Sequence, residues 1–196
     1  QAVNLQIVNS DAPQFARDDY AKKALAYNLL WEGDLFKGVV KTRWGFGTFQ
    51  HNGSKYYNWI TPGVQLNLGN FTTELDYYYG YRDMDLAIDG TSMGKRYVKD
   101  QSASLNLKYN FGQLRPFVKG VWNNRYDKDA DSDAYQNVGV QAVLEYYPFK
   151  QDILKDLRVH LAYAYNDTEF KGAYSNLDNR DQHTIILGLR WLFKAK

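Results

Sequence analysis

Between residues 102 and 111 the chain sorts its side chains into two sets with no exchange between them. Ala103, Leu105, Leu107, Tyr109 and Phe111 take one parity, and Ser102, Ser104, Asn106, Lys108 and Asn110 take the other. A period of two belongs to the extended strand, where successive side chains point to opposite faces, and a helix cannot sustain it. The same split recurs elsewhere. Phe71, Leu75, Tyr77, Tyr79 and Tyr81 oppose Thr72, Glu74, Asp76 and Arg82, and Val138, Val140, Ala142, Leu144 and Tyr146 oppose Asn137, Gln141 and Glu145. Leu157, Val159, Leu161, Tyr163 and Tyr165 oppose Arg158, His160 and Asn166, and Ile185, Leu187, Leu189, Trp191 and Phe193 oppose Thr184, Gly188 and Arg190.

Read along the whole chain, this pattern predicts strands over Ala2–Asn9, Lys23–Glu32, Leu35–Gln50, Lys55–Leu68, Asn70–Asp83, Tyr97–Phe111, Gln113–Tyr126, Tyr135–Phe149, Leu157–Thr168 and Gln182–Phe193. Leu114–Asn123 alternates poorly, and Pro116 and Gly120 weaken that strand. Tight links are expected at Gly33-Asp34, Gly69-Asn70 and Gly112-Gln113, with a longer one over Lys150–Asp156. Polar excursions fall between them at Ser10–Ala21, Met84–Lys95, Asp127–Ala134 and Asn166–Arg180, and only the Gln50–Lys55 connection is short for its side. Segments of about ten alternating residues, with short and long connections in turn, are the pattern of an antiparallel transmembrane β-barrel.

Composition separates a membrane barrel from a soluble β-sandwich. Mean hydropathy is −0.58, while aromatic residues make up 16%, with 17 Tyr, 10 Phe and 5 Trp. Tyr and Trp carry polar groups that need partners, so this many burden an ordinary core but suit a membrane boundary. No run approaches the ~18 apolar residues of a spanning helix, and a closed barrel is the other structure that can span. From Phe71 to Tyr79, at ~3.3 Å per residue and a tilt of ~40°, the chain covers roughly 20 Å of membrane normal. Trp31, Phe111, Tyr146 and Trp191 are expected to mark one aromatic girdle, and Trp44, Tyr79, Trp122 and Tyr163 the other.

A net charge of +2 with dispersed Lys and Arg sets nucleic acid aside as a partner. The absence of cysteine agrees with export through an oxidising compartment. Gln1-Ala2-Val3-Asn4 carries no basic segment followed by an apolar run, so the expectation is a processed or cut chain. One domain over residues 1–196 is expected, without linker or low-complexity tract. An even number of strands with short links on the periplasmic side puts both chain ends there, in a Gram-negative outer membrane.

Several segments resemble the phosphate-selective porin O and P family, in particular its Bacteroidetes members. They are Ala24-Leu25-Ala26-Tyr27-Asn28-Leu29-Leu30-Trp31-Glu32-Gly33, Lys41-Thr42-Arg43-Trp44, Leu75-Asp76-Tyr77-Tyr78, Glu145-Tyr146-Tyr147-Pro148-Phe149 and Leu157-Arg158-Val159-His160-Leu161-Ala162-Tyr163. The likeness runs through nearly the whole chain. It implies a porin of about sixteen strands of which these ten form the C-terminal part, the others preceding Gln1; self-closure as a small barrel is the alternative. It also implies a homotrimer. Lipid and lipopolysaccharide are the partners expected of such a barrel.

On this parity Lys41, Arg43, Arg82, Lys108, Arg115, Lys119, Arg158 and Arg190 face the lumen, against Glu32, Glu74, Asp76, Asp100 and Glu145. The excess of base favours small polar or anionic solutes by focusing the field, unless the charges pair across neighbouring strands. The family name implies phosphate, but acids interleave with the bases here and argue against a phosphate filter. Leu30, Phe117, Val121, Val143 and Ile186 are apolar residues at inward positions.

A lipid hydrolase or acyltransferase would need a nucleophile beside a base. His51 and His183 lie near expected loops, His160 shares a strand with Arg158, and none has a Ser in a catalytic arrangement. No enzyme activity and no cofactor are therefore expected. The acidic run Asp127-Lys128-Asp129-Ala130-Asp131-Ser132-Asp133 could attract calcium but lacks the glycine and final glutamate of a helix-loop-helix site, and a solvated outer loop is expected there. Adhesion through such loops is the remaining alternative to a channel.

Overall fold

The computed structural model describes residues 2–10, 24–50, 57–88, 91–150 and 156–191. They form one antiparallel sheet whose ten strands pair in chain order. The strands are β1 (Ala2–Ser10), β2 (Ala24–Leu35), β3 (Val40–Gln50), β4 (Tyr57–Leu68), β5 (Phe71–Ile88), β6 (Thr91–Tyr109), β7 (Leu114–Asp127), β8 (Ser132–Tyr146), β9 (Arg158–Phe170) and β10 (Arg180–Arg190). Among the described residues the helical content is a 3₁₀ turn at Gly172–Tyr174. β1 and β10 are the two edges of the sheet and are not bonded to one another.

Register carries the alternation of each strand into its neighbour, so the sheet has one apolar face and one polar face. A row of the apolar face runs from Phe46 through Ile60 to Tyr79, and another from Thr73 through Leu107 and Val118 to Ala142. Towards the far edge Leu144, Leu161 and Leu187 stand in line. These side chains remain substantially exposed: Leu75, Leu105, Val140, Leu161 and Leu187 all have large accessible surface.

Each of the ten expected strands is present, and the differences lie in the connections. Gly33 and Asp34 continue β2, paired with Thr42 and Lys41. The reversal falls at residues 36–39, where Phe36, Lys37 and Gly38 all have positive φ and the Val39 amide donates to the Phe36 carbonyl at 3.3 Å. Left-handed conformations at both central positions match the strand twist of a tight hairpin, and Gly33 is free to be a strand residue. Gly69-Asn70 is the two-residue turn expected, with Gly69 left-handed.

Met84–Lys95 is not a loop: β5 and β6 continue pairing through Asp83↔Tyr97 and Asp85↔Lys95 to Ile88↔Thr91, with a bulge near Gly94. Asp127–Ala134 likewise contracts to a turn, because Asp127 pairs with Ser132. β7 forms across Pro116 and Gly120. Its ladder with β6 ends at Phe117↔Lys108, so Pro116 is bordered by β8 alone, and a missing N–H is tolerated where a ladder stops. The expected connections Ser10–Ala21 and Gln50–Lys55, and most of Lys150–Asp156, fall on positions outside the described residues.

Candidate functional site

All the charged residues expected on one face lie there. Lys41, Arg43, Glu74, Asp76, Arg82, Lys108, Arg115, Lys119, Glu145, Arg158 and Arg190 share the polar face, as do Glu32 and Asp100. Arg43 Nη2 donates to Asp76 Oδ1 at 2.9 Å and lies 3.9 Å from Glu74 Oε1. Arg43 and Asp76 are two strands apart, and the residue between them in the ladder is Gly63. A Cβ at Gly63 would collide with Asp76 Oδ1, so glycine is what allows this pair to close over β4.

Arg125 grips Asp100 with Nε at 2.6 Å and Nη2 at 3.1 Å, and Arg82 Nη2 lies 3.4 Å from the same carboxylate. Arg158 pairs with Glu145 and donates to the Tyr147 hydroxyl at 3.3 Å, while the Tyr147 hydroxyl donates to Glu145 at 3.2 Å. Arg115 stacks on the Tyr147 ring at 4.1 Å, and Lys108 lies over Phe117 at 5.9 Å. Lys41, Lys119 and Arg190 have no carboxylate partner among the described residues. The arginines are thus mostly spent on acids of the same face, which favours cross-strand pairing over an open anion ladder.

Arg125 was not among the expected lining residues. It follows the poorly alternating part of β7, yet counting by twos from Lys119 through Val121 and Asn123 reaches it. Tyr78 is hidden in the same way between Tyr77 and Tyr79. Its ring faces the polar side, where its hydroxyl hydrogen-bonds that of Tyr57, and Tyr57 packs on Trp59 at 4.9 Å. At the same level Asn123 Nδ2 donates to Asn137 Oδ1 at 3.0 Å, and Asn137 Nδ2 donates to Thr168 Oγ1 at 2.9 Å.

Of the apolar inward positions, Phe117, Val143 and Ile186 align in one row with Ala162 between the last two. They form an apolar stripe across the polar face, with Val143 and Ala162 buried. Val121 stands opposite Gly139, and Leu30 opposite Gly45.

The aromatic residues expected as girdles lie on the apolar face or at strand ends, with one correction. Trp31 and Trp44 are directly opposite in the β2–β3 ladder, so they occupy one level rather than two bands. The misplaced turn is the reason: moving the reversal to residues 36–39 puts both tryptophans five residues from it. Tyr79 and Trp122 lie well along β5 and β7, Tyr163 lies along β9, and Phe111, Tyr146 and Trp191 fall at or beside strand ends.

The acidic run is a folded corner. Asp127 is fully buried and accepts the Tyr174 hydroxyl and the amides of Asp129 and Ala130, at 2.9 and 3.2 Å, with Arg96 Nε 3.8 Å away. Asp129 accepts the Tyr97 amide at 2.7 Å, Asp131 accepts the Tyr126 hydroxyl, and Asp133 accepts Asn124 Nδ2 at 2.9 Å. Burial, with the bond to Asp127 second, pushes the Tyr174 hydroxyl up to about 12. Among the described residues no three His, Asp or Glu side chains converge as metal ligands.

The histidines likewise form no catalytic pair with a serine in the described structure. His183 lies near the start of β10, close to the preceding loop as expected, bonded to the Tyr163 hydroxyl at 2.8 Å and stacked on Tyr165. His160 lays its ring over Gly188, and His51 is outside the described residues. No family model matches this chain, and no curated protein matches it.

Proposed function

We propose that the chain is part of the wall of an outer-membrane β-barrel that works as a porin, a water-filled passage for small polar solutes with a slight preference for anions. The observation that carries this reading is the sheet's division. One face is apolar and aromatic across ten strands and half exposed, and the other bears mutually paired charges. An apolar surface of this extent is unfavourable in water at about 25 cal/mol per Å², and hydrocarbon removes that cost. A membrane barrel has this polarity: apolar outside, polar inside.

In lipid, the edges β1 and β10 both need partners. The resemblance to the phosphate-selective porin O and P family supplies them as further strands in a barrel of about sixteen, which also carries the homotrimer, the lipopolysaccharide contact and the periplasmic chain ends. Phosphate selectivity is not part of the proposal, because Arg43, Arg82, Arg125 and Arg158 are engaged with carboxylates. The test is the conductance of the full-length protein in a planar bilayer under a salt gradient, with its intact mass. An open current with a weakly anion-selective reversal potential is expected. Insertion without conductance would sink the porin reading in favour of a small closed barrel acting as an adhesin, a structural protein or a lipid-modifying enzyme.

A further inference from the structure

The polar face carries a region whose chemistry differs from the ion pairs around it. Across β5 to β9 at one level stand Tyr78, Ser102, Asn123, Asn137 and Thr168, none of them charged. Asn137 Nδ2 donates to the main-chain carbonyl of Asp167 at 3.0 Å as well as to Thr168. A carbonyl can only accept, so the orientation of the Asn137 amide is fixed and its Oδ1 must accept from Asn123. The relay leaves Asn123 with its own Oδ1 and a second N–H not used within it. Such an amide offers a donor and an acceptor side by side.

Aromatic rings bound this row. At the β5 side Tyr78 is tied to Tyr57, which is stacked on Trp59. At the other side Tyr135 packs edge-on against Phe170 at 6.5 Å, with Arg125 over its ring at 5.3 Å. The charged groups beside the row are engaged with one another, since Asp100 is held by both Arg125 and Arg82. The same residues line a single depression: Tyr78, Asn123, Asn137, Thr168, Tyr135 and Phe170 all border it.

We propose that this depression is a binding subsite for a neutral polyhydroxylated solute, a short oligosaccharide. The assignment rests on the reading of the polar face as a channel lining. Each sugar hydroxyl both donates and accepts, which matches a carboxamide pair, and the C–H faces of a pyranose pack on aromatic rings. A phosphate would instead meet guanidinium groups already bonded to acids. The separation of β5 from β8, three strand spacings or roughly 14 Å, suits a ligand about the length of a trisaccharide.

The probe is maltotriose, with tripolyphosphate as comparison, on the full-length protein. In planar bilayers maltotriose is expected to reduce the open-channel current with half-effect at about 1–10 mM, a weak-site affinity. Asn137→Leu and Thr168→Val should each keep the single-channel conductance and raise that concentration about tenfold, whereas Lys119→Gln leaves it in place. Saturation-transfer NMR on the protein in detergent reads binding without needing current. Transfer to maltotriose in a protein that does not conduct would remove the channel and keep the subsite. An open channel with neither block nor transfer overturns the subsite, as does tripolyphosphate blocking more strongly than maltotriose. If Asn137→Leu fails to fold, the near-isosteric Thr168→Val carries the comparison, and an unchanged half-effect there counts against the proposal.

Discussion

Around Tyr174 the chain buries its own side chains, whereas along the middle of β5 to β9 it leaves them half uncovered. Ala134 and Tyr174 pack with Tyr135, Phe170 and Leu177 into a small core, with Asp127 sealed beside them. A few residues along the same sheet, Leu75, Leu105, Val140 and Leu161 stand about half exposed. The first region is closed by protein, so its stability is set by hydrogen bonds and packing. The second is left uncovered by the described residues, and on the proposed membrane reading its stability depends on the medium. One sheet therefore follows two sets of rules.

The largest effect that tests this contrast is expected at Asp127. Asp127→Ala strips the acceptor from Tyr174 and from two main-chain amides and should cost about 3–5 kcal/mol. Urea unfolding would read the loss, and hydrogen exchange should show protection falling in residues 171–179. The cost should be similar in detergent and in lipid; strong dependence on the medium would break the contrast.

Leu105→Arg is the converse case. If the apolar face meets lipid as proposed, a cation there costs about 2–4 kcal/mol, against a small effect for Ser104→Arg on the opposite face. Equilibrium folding into vesicles measures both, and equal costs would contradict the division of faces.

Tyr174 gives the smallest effect and a pH signature. Its hydroxyl titrates higher in the folded state than in the unfolded chain, so its contribution is complete below about pH 10 and is lost as pH rises towards about 12. The loss amounts to roughly 2 kcal/mol. Tyr174→Phe should flatten stability across that window, and a variant with an unchanged alkaline slope would assign the titration elsewhere.

Strand positions and faces were legible because the period of two is local: Ala103 to Phe111 announce their side without help from distant residues. Turn positions were less so. Gly33-Asp34 offered the usual turn chemistry, yet the reversal took Phe36-Lys37-Gly38, because register with β3 rather than residue preference sets where the hairpin folds. The Met84–Lys95 segment did carry a local mark, since Met84, Leu86 and Ile88 alternate with Asp85 and Asp89 ahead of the hairpin pair Asp89-Gly90, but its aspartates and glycines read as a loop.

The candidate site was legible in its charges and obscure in its partners. Parity placed Arg43 and Asp76 on one side, but their meeting depends on Gly63, which carries no side chain to signal it. Tyr174 and Asp127 lie far apart in sequence, and no spacing rule joins them. Asn123, Asn137 and Thr168 lie on three different strands, and only register sets them in line.

The β5–β6 ribbon has a further consequence. Its last pairs run past the ladders that β4 and β7 provide, and between Asp85/Lys95 and Ala87/Ser92 the β6 arm carries the additional residue, next to left-handed Gly94. Inserting one residue in a paired arm would turn every later side chain over, while two would preserve the facing. A bulge absorbs the odd residue. The β5–β6 ribbon is thus where this chain can lengthen or shorten over generations by any number, odd or even, without rewriting the sheet beneath it.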